Sequence, residues 1–106
     1  MTPLAMKYLK FADIRQKIQT NYDVQSKECQ ILRVTTQAHL KGSPFKVRDL
    51  LDISIIASPA TIHKAMKLLI SKDLLKIEAD KTDGRIKYLA PTTRAIKLLT
   101  EIGRQM

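Results

Sequence analysis

Between Lys72 and Leu75 the hydrophobic period of this chain shortens from three or four residues to two, and it lengthens again after Pro91. That double switch constrains the fold more than any other feature. On its N-terminal side Ile62, Ala65, Met66, Leu69 and Ile70 form one stripe of a helix. Ser58-Pro59 starts that helix, with a hydroxyl at the cap and a proline just inside it. Within the switch Leu75, Ile77 and Ala79 alternate with Lys76 and Glu78. Ile86, Tyr88 and Ala90 alternate with Lys87 and Leu89, so both segments read as strands. Asp80 to Arg85 is the polar turn between them, and its Asp83-Gly84 pair is a strong hairpin signal. Pro91 lacks the N–H of a central strand and is expected to end the return strand. Thr92 or Thr93 caps a last helix, apolar at Ala95, Ile96, Leu98, Leu99 and Ile102.

Upstream, Leu4, Tyr8, Phe11, Ile14 and Ile18 recur at helical spacing after Thr2-Pro3, and Asn21 to Asp23 breaks the helix. Asp23 or Ser26 caps a second helix that runs to about Leu40. Its buried face uses Cys29, Ile31, Leu32, Val34, Thr35 and Ala38, and Lys41 to Pro44 ends it. Phe45-Lys46-Val47 reads as a short strand. Residues 47–53 then give one or two helical turns, with Leu50, Leu51 and Ile53 apolar, and residues 54–57 connect to Ser58. The order implies a mostly α chain with a small β-hairpin (α+β). Its centre, residues 23–91, is a winged helix-turn-helix, flanked by an N-terminal helix in 1–22 and a C-terminal helix in 92–106.

In such a fold the helix that starts at Ser58 would enter a DNA major groove by its N-terminal half. Its residues off the core stripe are Pro59, Ala60, Thr61, His63, Lys64 and Lys67, and no acidic residue lies between Ser58 and Lys72. Thr61 and Lys64 suit base edges, while Lys67 and Lys72, further along, suit phosphates. Small residues at Ser58 and Ala60 allow close approach. Arg85, with Lys81 and Lys87 nearby, makes a basic ribbon tip that fits a narrow minor groove, and Asp80 or Asp83 could orient its guanidinium. The charge balance agrees. Net charge is +9, and residues 57–106 carry ten basic side chains against five acidic ones. Such a surplus favours an anionic partner.

These residues resemble the MarR-type transcriptional regulators over about 24–106. The resemblance rests on Thr61-Ile62-His63-Lys64 through Leu69, on Leu74-Leu75, on the Asp-x-x-Asp-x-Arg wing of Asp80, Asp83 and Arg85, and on Thr92 at the last helix cap. The segment Ser58 to His63 is also similar to a group of short bacterial winged-helix proteins. The chain departs from the family pattern at Asp73, where a glycine is usual, and at Pro91 and Ala95. The resemblance implies a cytoplasmic, nucleoid-associated regulator that binds double-stranded DNA as a homodimer joined by its terminal helices. The apolar stripes Leu4–Ile18 and Ile96–Ile102 point to a homodimer independently, since a small core cannot cover both. A small-molecule effector occurs in the family, but no residue here argues for one. The alternative is a winged-helix protein-interaction or replication or partition accessory module. It would not need both the helix and the wing to be basic.

Catalysis and cofactor chemistry find no footing. Three isolated glycines make no phosphate loop. Cys29 and His39 lie nearly three turns apart on one helix, too far for a nucleophile and its base. No Cys, His and carboxylate cluster has the spacing of a metal site. A single cysteine excludes an internal disulfide and fits a reducing compartment. Cys29 could serve a redox sensor, but a buried free cysteine is usually an inert small hydrophobe. No apolar run reaches the ~20 residues of a membrane span.

Overall fold

The computed structural model describes residues 2–53 and 56–106. Five helices and one hairpin follow each other: α1 (Pro3–Asn21), α2 (Ser26–Leu40), α3 (Val47–Leu51), α4 (Pro59–Ser71), β1 (Leu75–Ala79), β2 (Lys87–Pro91) and α5 (Thr93–Gly103). This is the expected mostly helical chain with a two-stranded hairpin. Of the expected connector 54–57, Ser54 and Ile55 lie outside the described residues. Among the described residues no helix is long and apolar enough to cross a membrane.

The core sits where α2, α3, α4, the hairpin and α5 converge. Ile31, Leu32, Leu50, Ile62, Leu69, Leu74, Leu89 and Leu98 are fully enclosed there. The α4 stripe packs as its period requires, with Ile62, Ala65, Met66 and Leu69 buried. Ser58 caps α4 by accepting from the Thr61 amide, and Thr92 caps α5 by accepting from the Ala95 amide. The Thr92 hydroxyl also donates to the Asp73 carbonyl at 2.6 Å, tying α5 to the turn before β1.

Several local expectations are corrected. The N-cap of α2 is Gln25, which makes no side-chain cap bond, so neither Asp23 nor Ser26 fills that role. Asp23 instead terminates α1 in a left-handed conformation, φ 57°. Phe45 to Val47 is not a strand. Pro44 has no N–H to offer, and the Lys46 amide is captured by the Asp49 carboxylate that starts α3, at 2.9 Å. What remains of a third strand is one bond, from the Leu89 amide to the Phe45 carbonyl at 2.8 Å. Helix α3 stops at Leu51, two residues early, and Asp52 caps it. Pro91 ends the return strand as expected: it is the last residue of β2, opposite Leu75. The hairpin forms where the polar turn and its Asp-Gly pair signal it; seven residues separate Ala79 from Lys87, and Gly84 does not take a positive φ.

Asp73 answers the departure from glycine. It adopts φ 59°, the conformation for which glycine is preferred and which aspartate tolerates better than most residues.

Helix α1 stands apart from this core. Only Ile18 and Gln19 of its 19 residues are buried, and the molecule measures 54 × 27 × 24 Å as a result. Leu4 and Tyr8 are 78% and 60% exposed. The expectation that both terminal stripes are uncovered therefore holds for α1 and only partly for α5. Ala95 and Leu98 are buried in their own domain, Ile102 packs on its edge, and Ile96 remains exposed.

Candidate nucleic-acid interface

The residues singled out on α4 emerge along its outer side because the opposite side is committed to the core. Ser58, Pro59, Ala60, Thr61, Lys64 and Lys67 are exposed, whereas His63 is half-buried beside the core stripe. The Ser58 hydroxyl donates to the Thr61 hydroxyl at 3.0 Å, so the Thr61 hydroxyl keeps its own hydrogen free to donate outward. Lys64, Lys67, Lys81 and Lys87 are exposed and make no ion pair or side-chain hydrogen bond among the described residues.

Lys72 behaves differently, and the expected phosphate role is not available to it. An ammonium has three N–H donors. Two go to the Glu28 carboxylate at 2.8 and 2.9 Å, and the third goes to the Asp23 carbonyl at 2.5 Å. Arg94 is likewise turned inward. It donates to the Lys72 carbonyl and lies over the Tyr22 ring, 5.1 Å from its centroid. The Tyr22 hydroxyl in turn donates to Glu101 at 3.0 Å, and burial followed by that carboxylate pushes the phenol up.

The wing is organised by its two aspartates, each in a separate role. Asp80 accepts from the Thr82 amide, the Thr82 hydroxyl and the Asp83 amide, which closes the loop. Asp83 accepts from the Arg85 amide at 3.0 Å and grips its guanidinium at 3.2 and 3.3 Å. Asp83 is therefore the orienting partner of Arg85, whose side chain stays 92% exposed.

Both aspartates sit below the ordinary carboxylate range. The Thr82 hydroxyl is the main cause at Asp80 and the Arg85 side chain at Asp83. A carboxylate lowered on folding contributes order that is present above its unfolded pKa and lost as pH falls through the folded value. In an acid titration followed by NMR, the amides of Thr82, Asp83 and Arg85 are expected to hold their folded shifts below the pH at which an aspartate in an unstructured peptide protonates. Wing amides that move at the pH of the unstructured peptide would contradict this.

Cys29 is buried, its Sγ accepts from the Gln19 side-chain Nε2 at 3.2 Å, and its thiol is pushed up by burial. That is an unreactive thiol. Among the described residues no three His, Cys, Asp or Glu side chains come together as a metal site.

An exposed basic helix after a short helix, followed by a basic ribbon and a closing helix, defines a winged helix-turn-helix protein. No family model and no curated protein matches the sequence. Solved structures share its fold. MepR of Staphylococcus aureus bound to ethidium bromide matches 99% of this chain and 75% of its own at 18% identity, with a TM-score of 0.76. A MepR–DNA complex matches 97% of this chain and 74% of its own at 22% identity, with a TM-score of 0.71. Staphylococcus aureus MarR in complex with salicylate and kanamycin matches 92% and 61% at 22% identity, with a TM-score of 0.64. The chain thus has the winged-helix fold of the MarR-type proteins.

Proposed function

We propose that this protein is a cytoplasmic, sequence-specific, double-stranded DNA-binding transcriptional regulator of MarR type that acts as a homodimer. One observation carries the reading. The cations on the outer side of α4 and on the wing (Lys64, Lys67, Lys81, Arg85 and Lys87) are exposed, and only Arg85 has an internal partner, while nearby Lys72 and Arg94 are engaged inside the fold. A merely soluble surface gives no reason for that division. The fold likeness to MepR solved with DNA supports the same partner.

In this reading α4 lies in the major groove, with Thr61 and Lys64 at base edges and Lys67 on a phosphate. Arg85 enters the minor groove, held extended by Asp83. Selection from a random duplex library tests the assignment. Lys64→Ala or Thr61→Ala is expected to relax the preferred sequence, at about 1–3 kcal/mol on the selected site. Lys67→Ala is expected to weaken all duplexes evenly, and Arg85→Ala to weaken most those with A·T-rich flanks. A library that yields no enriched duplex overturns the reading. A Lys64→Ala protein with unchanged preference overturns the role of that residue.

A further inference from the structure

Two consecutive residues in the first turn of α2 hold α4 at both ends. Lys27 donates to the Ile56 carbonyl at 2.6 Å, two residues ahead of the α4 cap Ser58. Glu28 accepts with both oxygens from Lys72, the residue that ends α4. The Glu28 side chain is only 4% exposed and that of Lys72 19%. Burying such a pair is a poor way to gain stability, because desolvation offsets the attraction. What the pair does supply is one defined geometry. The same Lys72 reaches the Asp23 carbonyl at the end of α1, and its own carbonyl accepts from Arg94 of α5. The far end of α4 is therefore tied toward both flanking helices through one residue, by its side chain to Asp23 and by its backbone carbonyl to Arg94.

We propose that Lys27 and Glu28, acting through Ile56 and Lys72, are positioning residues that set the pose of α4 and thereby how strictly it discriminates between DNA sequences. The proposal rests on the DNA-binding reading above. It also reverses the sign that charge alone would give. Removing the Glu28 carboxylate takes a negative charge from a DNA-binding protein, which by field effects strengthens binding to every duplex. Loss of position weakens binding to the selected duplex instead.

The test compares the library-selected duplex with a shuffled duplex of the same composition, alongside thermal melts. Glu28→Gln is expected to weaken the selected duplex by about tenfold, the scale of one lost base contact, and to leave the shuffled one unchanged or tighter. The double variant Glu28→Leu with Lys72→Met keeps the net charge and fills the space with apolar groups, an exchange that is often neutral for stability. It decides the matter if Glu28→Gln does not fold. Its discrimination is expected to fall by a similar factor at an unchanged salt slope. A folded variant with wild-type discrimination overturns the clamp alone. A salt slope shallower by about 0.9 in the double variant also overturns it, since Lys72 would then be a phosphate contact. A wild-type protein that binds neither duplex overturns the DNA-binding reading itself, and the clamp with it.

Discussion

Raising the salt from 50 to 200 mM is expected to reduce affinity for duplex DNA on the order of 10⁴-fold. In the proposed dimer each protomer would bring Lys67, Lys81, Arg85 and Lys87 to the duplex, all of them exposed. Lys72 is excluded because its three donors are spent on Glu28 and Asp23. A dimer then neutralises about eight phosphates, and the log–log slope is roughly −0.9 for each, or about −7 in all. The number is diagnostic. A slope of about half that size is the signature of one protomer on the DNA, and a flat titration removes the nucleic-acid partner altogether. A protein-docking winged helix would give the flat result. Counting Lys72 and Arg94 as phosphate contacts would have predicted a steeper dependence than this interface can produce. The measurement is a set of binding isotherms on the selected duplex at four or more salt concentrations.

What the sequence disclosed and what it hid divide along the range of the interactions. The α4 stripe, the Ser58 and Thr92 caps and the two strands depend on neighbours within a few residues. Their periods and cap chemistry are visible in a string of letters. The roles of Lys72 and Glu28 are not. Their partnership spans 44 residues, and nothing local distinguishes a lysine that faces a phosphate from one that folds back onto a buried carboxylate. The half-burial of His63 is hidden for a related reason, since it depends on the neighbouring elements rather than on α4 alone. The strand expected at Phe45 was overruled by competition, because Asp49 takes the Lys46 amide that a ladder would need. Asp73 was legible as an anomaly. A glycine position filled by aspartate still takes the left-handed conformation, because the β1 turn demands it and aspartate tolerates it. The paired Asp80 and Asp83 were legible as a wing, but which of them holds Arg85 required the loop's own geometry.

Tyr8→Glu is expected to convert a dimer into a folded monomer and to lower affinity for a palindromic site by about 10² to 10⁴, the range that divalent engagement adds to a single contact. Tyr8 lies in a mainly apolar groove of about 430 Å³ with Leu4, Phe11, Ile14 and Met106, and Lys7 and Lys10 also line it. An exposed apolar surface of this kind marks an interface, and a second copy of α1 offers the matching one. In the monomer the new carboxylate stands in water, where a surface substitution changes stability by only about ±0.5 kcal/mol. Inside a dimer interface it would be desolvated, and at the i±3 and i±4 positions its own helix offers no cation to pair with it. The facing positions three and four residues away are Leu4, Ala5, Phe11 and Ala12. Lys7 and Lys10 line the same groove, but at one and two residues from Tyr8 on the helix they do not face its side chain. The cost therefore falls on association and not on folding. Gln16→Glu, on the exposed side of the same helix, adds the same charge and serves as the control for simple repulsion from DNA. Sedimentation at micromolar concentration reads the oligomeric state of both variants, and binding to one or two half-sites reads the consequence. If Tyr8→Glu stays dimeric, the α1 groove is not the interface. If the wild type is itself monomeric and binds each half-site with about half the slope expected of the dimer, the two half-sites are filled independently.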